Sequence, residues 1–326
     1  MCTALTYQTK DFYFGRNLDL HFSYQEAVTI TPRAYPFFFR CGKKLEKHYA
    51  LIGVATVADG YPLYYDATNE KGLSLAGLNF PENAVYYANI DGLDNIAPFE
   101  LIPWILGQCA TAAEALQMLS KLNLWKTPFN EKYSLSPLHW ILADKQQCFV
   151  LEPMSEGLKI HENPVGILTN NPPFDYHMYH LADYMNVTAK TPQNRFSGKI
   201  SLRPYSLGMG GIGLPGDLSS PSRFVKATFT KLNSVCEETE VESISQFFHI
   251  LGSVAQQKGL TEVADNEFEY TVYSSCCNTE KGLFYYTTYE NSQISCINMH
   301  KENLEGMNLV SYPLIRSQQI HMQNGV

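Results

Sequence analysis

The chain has 326 residues, with 24 Lys and Arg against 32 Asp and Glu, a formal charge of −8 at pH 7 and 45% apolar residues. This supports a sizeable core and excludes wholesale disorder; no basic run offers a nucleic-acid footprint, and no stretch of roughly 18 apolar residues could span a membrane. The N-terminus has no basic start and its apolar run stops at "QTKD", so no signal peptide is read and the expected address is cytoplasmic.

In chain order, the first third reads as strands: "CTALTY", "FYFGRNL", "AVTITP" and "YALIGVATV", then "KGLSLAGLNF" after the turn-like "TNEK". The period then changes. Residues 99–108 and 111–122 read as helices, with Thr111 as a cap and Glu114 at capping-box spacing. Strands return at 138–144, 147–153, 157–162 and 165–170. Helices are expected over 174–185, over 221–234 with Pro221 near the first turn, and over 241–257, where Val241, Ile244, Phe247, Phe248, Leu251 and Val254 form an apolar stripe. The last strands are "YTVYSS", "GLFYYTTYE" and "ISCINM". Strands come in runs and helices in blocks between them. That predicts an α+β fold with antiparallel sheets. No repeat, low-complexity tract or long linker interrupts it, so 1–326 is expected to be a single domain.

Several motifs are set aside. Gly208-Met209-Gly210-Gly211-Ile212-Gly213 fits GxGxxG, but Pro215 and Gly216 forbid the helix that a dinucleotide site requires. His177 and His180 have a spacing that suits a metal, yet no third ligand lies near. The eight cysteines contain no CxxC pair and read as free thiols in a reducing compartment, the adjacent Cys276 and Cys277 as a strand end with one thiol facing each side. "NVT" at 186–188 means little in a chain that is not secreted, and there is no GxSxG elbow.

"MCTALTY" is the stretch that carries chemistry. Trimming Met1 leaves Cys2 with a free α-amine beside its own thiol. A thiol of pKa about 8.5 and an amine of about 7.7–8.0 are a nucleophile and a general base in one residue. Such a nucleophile needs a cation, a carboxylate and amide donors for an oxyanion. "GRNLD" supplies Arg16 and Asp19 on the strand expected to pair with the first. In a regular strand those two face opposite sides, so a bend or bulge is expected near them. "AGLNFP" and "ILTNNP" each end an apolar strand with an asparagine, Asn79 and Asn170, placed as turn formers or as amide donors. Arg223 falls in the first turn of a helix, where a cation opposes the dipole, so a partner elsewhere is expected for it.

With these stretches in place, the chain resembles the bile salt hydrolases (choloylglycine hydrolases), relatives of penicillin V acylase among the N-terminal nucleophile hydrolases. The matching segments are "MCTALTY", "YFGRNLDLHFSY", "YPLYYDATNEKGLSLAGLNFP", "LHWILAD", "GILTNNPPFDYHM", "GLPGDLSSPSRFVKATF", "QFFHILGSV" and "YYTTYENSQI", in order from residue 1 to about 295. The resemblance implies a four-layer αββα sandwich of two mainly antiparallel sheets. It implies hydrolysis of the amide joining a bile acid to glycine or taurine. Cys2 would be the nucleophile and its α-amine the base, with Arg16 and Asp19 orienting and tuning them. Asn79 and Asn170 would bind the oxyanion, and Arg223 would complete the charge network. With no propeptide before Cys2, removal of Met1 would suffice for activation. No cofactor and no metal are implied, and the family is commonly tetrameric.

A bile salt is a large apolar steroid, so its pocket should be mostly apolar. The positions similar to the family's pocket are Leu18, Tyr24, Tyr65, Phe129, Tyr133 and Leu138. Penicillin V acylases of the Bacillus type tend to carry tyrosine where this chain has Asn79, which favours bile salts. Ser206-Leu207-Gly208 fits neither of the family's common loop patterns at that place, which leaves the choice between glycine and taurine open. The alternatives are an acylase for phenoxymethylpenicillin or N-acyl homoserine lactones, and a non-catalytic binder of bile salts, which would have no need of Cys2.

Overall fold

The computed structural model describes residues 1–324. In chain order the strands of its two large sheets are β1 (Cys2–Gln8), β2 (Phe12–Leu20), β3 (Ala27–Thr31), β4 (Leu51–Ala58), β5 (Tyr61–Asn69), β6 (Ser74–Asn79), β7 (Leu138–Ala143), β8 (Cys148–Met154), β9 (Gly157–Glu162), β10 (Ile167–Leu168), β11 (Tyr270–Asn278), β12 (Leu283–Thr288), β13 (Asn291–Asn298) and β14 (Val310–Pro313). The six-stranded sheet has the order β10-β1-β2-β11-β12-β13, and the eight-stranded sheet β9-β8-β7-β6-β5-β4-β3-β14. Every neighbouring pair in both is antiparallel.

Period-two alternation makes the layers. In β7, Ile141 and Ala143 enter the core between the sheets. Their neighbours Trp140 and Leu142 point the other way, into a second core. That second core is closed by α1 (Leu101–Leu106) and α2 (Ala112–Leu119). Across the molecule, α4 (Ser220–Leu232) and α5 (Glu240–Gly252) cover the six-stranded sheet, and α3 (Phe174–His180) packs on α4. The result is an αββα sandwich in an α+β fold. Thr111 caps α2 by accepting from the Glu114 N–H at 3.2 Å, as its spacing predicts.

Several expected elements are shorter. The helix expected to 122 ends at Leu119 because Leu122–Leu124 pairs in parallel with Asp94–Ile96. The one expected to 185 is α-helical only to His180 and tightens to a 3₁₀ turn over Leu181–Tyr184. The one expected to 257 ends at Gly252, and the strand expected over 165–170 pairs only at Ile167–Leu168. Within the two large sheets, two strands were not expected, β5 and β14. In β5, Pro62 and Asp66 argue locally against a strand, and tertiary partners for Asp66 override that.

Candidate active site

The register of β1 on β2 places Cys2 opposite Leu18 and Ala4 opposite Arg16. Cys2 is buried. Met1 extends the pairing by one residue: its amine donates to Asp19 O, and its carbonyl accepts from the Asp19 N–H, each at 3.1 Å. The amine also pairs with Glu269. Burial lowers this amine's pKa below the ordinary 8.0, although Cys2 and Asp19 pull it upward. A terminal amine at this end of β1 is therefore biased toward its neutral, basic form.

Arg16 is wholly buried and reaches from the first sheet into the second. The pairing of β5 with β6 ends at Asp66–Ala76, and the strands then diverge. The guanidinium enters the split. Its Nη1 donates to Gly77 O on one side and to Tyr65 O, at 3.0 Å, on the other. Asp66 lies beside it, accepting from Tyr273 Oη at 2.5 Å and from Ser275 Oγ at 3.0 Å. Burial alone would lower the arginine's pKa, but Cys2, Tyr273, Asp66 and Asp19 outweigh it and the net direction is upward. Among the described residues Nη2 has no partner.

Asp19 faces the other way. Its Oδ1 accepts from Thr271 Oγ1 at 2.6 Å, and Thr271 in turn accepts from Gln256 N, just past α5. Its same-face neighbour Asn17 bonds Leu251 O of α5 at 3.0 Å. The strand therefore keeps its ordinary alternation between Arg16 and Asp19. The expected irregularity lies instead on the facing strand, where the register of β11 slips between Thr271 and Tyr273 opposite Asp19 and Leu18. Arg16 and Asp19 flank the end of β1 from its two faces. Burial raises the Asp19 carboxyl pKa, and Arg223, the amino terminus, Thr271 and Arg16 oppose that.

Asn170 joins three segments. Its Oδ1 lies 2.7 Å from Cys2 N and 2.8 Å from Arg223 Nη2. Its Nδ2 donates to Asn79 O at 2.7 Å, leaving a second Nδ2 hydrogen. Its backbone is held at both ends, the N–H by Ser220 Oγ at 2.8 Å and the carbonyl by His177 Nε2 at 2.9 Å. Arg223, in the first turn of α4, finds the partners its position called for: Cys2 O, Thr3 Oγ1 and Leu218 O besides Asn170. Burial lowers its pKa, with Asp19 and Cys2 opposing, and a guanidinium so placed stays charged. Asn79 is exposed at the end of β6. The next residue, Phe80, bonds Pro137 O through its N–H at 2.8 Å. Asn79 therefore turns its own N–H and carbonyl away from β7.

The apolar candidates cluster beside this centre. Leu18 is buried opposite Cys2, and Leu138 pairs with Asn79. Tyr65 offers its carbonyl to Arg16 and its hydroxyl to Thr56, 2.9 Å away. Tyr24 and Tyr133 have centroids 6.2 Å apart, and Tyr133 and Phe129 6.1 Å. The aromatic row continues to Phe99 and Tyr61. Site residues that the sequence reading missed are Asp66, Thr271, Ser220, His177 and Glu269. His177 draws notice there only for its spacing to His180, which is set aside, and Asp66 stands as a lone acid amid strand-forming residues. Among the described residues no group of three or more His, Cys, Asp or Glu side chains could hold a metal ion, and no helix is long and apolar enough to cross a membrane.

A buried cysteine one residue from the amino terminus, with two buried guanidiniums that sense its thiol and an asparagine amide on its nitrogen, has the groups that attack on an amide carbonyl needs. Comparison with known proteins agrees. Residues 2–312 match the family described as linear amide C–N hydrolases, choloylglycine hydrolase family. The chain is 56% identical over 324 residues to a bile salt hydrolase/transferase of Lactiplantibacillus plantarum, covering 99% of this chain and 100% of that one. It is similar to the crystal structure of a conjugated bile acid hydrolase from Clostridium perfringens, with a TM-score of 0.92 and 34% identity over 99% of this chain and 100% of that one. Penicillin V acylase from Agrobacterium tumefaciens shares the fold, with a TM-score of 0.73 at 19% identity over 95% of this chain and 90% of that one. The architecture is that of the N-terminal nucleophile hydrolases, and the chain belongs to the choloylglycine hydrolase family of linear amide C–N hydrolases.

Proposed function

We propose that the chain hydrolyses the amide joining a bile acid to glycine or taurine, with Cys2 as nucleophile after removal of Met1. The observation that carries this reading is the 2.7 Å contact from Cys2 N to Asn170 Oδ1, an oxygen shared with Arg223. Trimming turns that nitrogen into a free α-amine already oriented by an acceptor. The thiol proton passes to the amine, and Arg16 and Arg223 stabilise the thiolate. Sulfur attacks the carbonyl carbon, and negative charge moves to oxygen. The donors for that oxyanion are the Asn79 N–H and the second Nδ2 hydrogen of Asn170. Collapse breaks the C–N bond, and the leaving nitrogen takes the proton from the α-ammonium. Water then cleaves the thioester and frees the bile acid and the thiol. Asp19 holds charge balance beneath the amine. Leu18, Tyr24, Tyr65, Phe129, Tyr133 and Leu138 wall the steroid. The names of the relatives support the substrate class.

Three broader readings accompany this one. The expected single domain over 1–326 is supported over the described residues 1–324, where both sheets contribute to one core between them. The enzyme acts in the cytoplasm. It assembles as a homotetramer, and the apolar side chains exposed between Tyr179 and Leu207, including Met185, Phe196 and Tyr205, favour self-association; light scattering on the purified protein checks the mass.

The decisive experiment is intact mass before and after thiol alkylation, alongside amino-acid release from glycocholate and taurocholate. A chain lacking Met1, with release lost as Cys2 is alkylated, is the expected result. Full activity with Met1 retained would overturn the mechanism. Release from phenoxymethylpenicillin or an acyl homoserine lactone, but from neither bile salt, would move the substrate class.

A further inference from the structure

His139 touches both segments that deliver the asparagines. Its ring stacks face to face on Phe80, the residue after Asn79, with centroids 4.2 Å apart and planes at 5°. Its Nε2 lies 2.9 Å from the carbonyl oxygen of Thr169, the residue before Asn170. A carbonyl only accepts, so Nε2 carries the hydrogen. The other ring nitrogen, Nδ1, lies 3.2 Å from Glu152 Oε1.

Glu152 is wholly buried, a costly place for a carboxyl unless its partners are fixed. The same Oε1 that lies against His139 Nδ1 accepts from the Phe174 N–H at 2.9 Å, where α3 begins. Three residues on, α3 carries His177, whose Nε2–H holds the Asn170 carbonyl at 2.9 Å. Toward the surface, Glu152 Oε2 faces His161 Nε2 at 3.5 Å, and His161 Nδ1 meets Asp175 Oδ1 at 3.1 Å. One carboxyl thus sets the imidazole packed against Phe80 and Thr169 and also the first turn of the helix that clamps Asn170.

We infer that His139 and Glu152 are a positioning pair for catalysis, fixing the separation of Asn79 and Asn170 through Phe80, Thr169 and α3. They touch neither the thiol nor the substrate. Their effect falls on the oxyanion, whose stabilisation depends on where the two amides stand when the thiolate attacks. The inference rests on the reading of Asn79 and Asn170 as oxyanion donors.

The test uses H139F, which keeps the stack and loses the donor; H139Q, which keeps a donor and loses the stack; and E152Q, which keeps the shape and an acceptor for Phe174. Glycocholate hydrolysis gives kcat and KM separately, and intact mass gives the rate at which iodoacetamide labels Cys2. In H139F and E152Q, kcat should fall about 10- to 100-fold with KM within about twofold. Labelling should keep the wild-type rate, because Cys2, Arg16 and Asp19 are untouched. H139Q should recover part of the kcat that H139F loses. Wild-type kcat in H139F, or a joint loss of kcat and labelling in E152Q, would overturn the inference. If H139F does not fold, E152Q decides alone by the same split. A wild-type enzyme that releases no glycine, or a C2A variant that still releases it, would instead remove the Cys2 mechanism beneath the inference.

Discussion

Asn170 Oδ1 stands 2.7 Å from the backbone nitrogen of Cys2, across 168 residues of sequence. That oxygen also accepts from Arg223, and the same side chain donates to Asn79. One amide therefore ties the nucleophile to the guanidinium and to the opposite sheet. Asn170→Ala should lower kcat on glycocholate by about 10²- to 10³-fold, with labelling of Cys2 still detectable by mass. A loss below about threefold would take Asn170 out of the transition state.

Cys2→Ser keeps the size of the side chain and replaces the thiol with a far weaker nucleophile. Turnover should nearly vanish while bile-salt binding by calorimetry and the melting temperature stay close to wild type. Near-normal turnover would end the thiol mechanism.

Arg16 serves both the thiol and the seam between sheets. Arg16→Ala leaves Gly77 O and Tyr65 O without their donor and Asp66 without its neighbouring cation. Urea unfolding should show a loss of about 3 kcal/mol. The pH at which iodoacetamide labels Cys2 should move upward in the same variant. An unchanged labelling profile would leave Arg16 a purely structural role.

His177 gives stability a defined acid limb. Burial lowers its pKa from 6.5 to about 4, and the native state holds it neutral with Nε2–H on Asn170 O. Between those values the unfolded chain binds the extra proton, so stability falls as pH drops. From pH 7 to pH 5 the loss from this group should be about 2 kcal/mol. Urea unfolding of wild type and H177Q at both pH values checks it, because the variant should lack this part of the decline.

Phe129 and Tyr133 touch each other, within the aromatic row that runs from Tyr24 to Phe99. Truncating either to alanine should raise KM for glycocholate by about tenfold or more through lost apolar contact, with Cys2 labelling unchanged. Equal KM values would place the steroid elsewhere.

The two sheets and the strand bearing Cys2 were readable from the short apolar runs "CTALTY", "FYFGRNL" and "LHWILA" between polar breaks, because a strand covered on both faces is buried at nearly every position. Arg223 was readable as a residue in an unfavourable helical place. What escaped is what depends on non-local partners. β5 hid behind Asp66, which lies in a strand only because Tyr273, Ser275 and Arg16 meet it there. The slip expected within β2 sits on β11, since no pattern in one strand reports which of two paired strands carries the extra residue. His139 drew no reading of its own, because its link to Glu152 crosses to the neighbouring strand.

The short pairing of Met1 with Asp19 bears on how the protein can be handled. One residue before Cys2 already fills the hydrogen bonds of Asp19's main chain and approaches Glu269. A purification tag fused ahead of Met1 would have to thread out past these contacts, and by making Met1 an internal residue it would keep the Cys2 nitrogen acylated, where the chemistry needs it free. Residues 317–322, exposed at the other end, are the place for any handle, so preparations that look inert should first be checked for which terminus was extended.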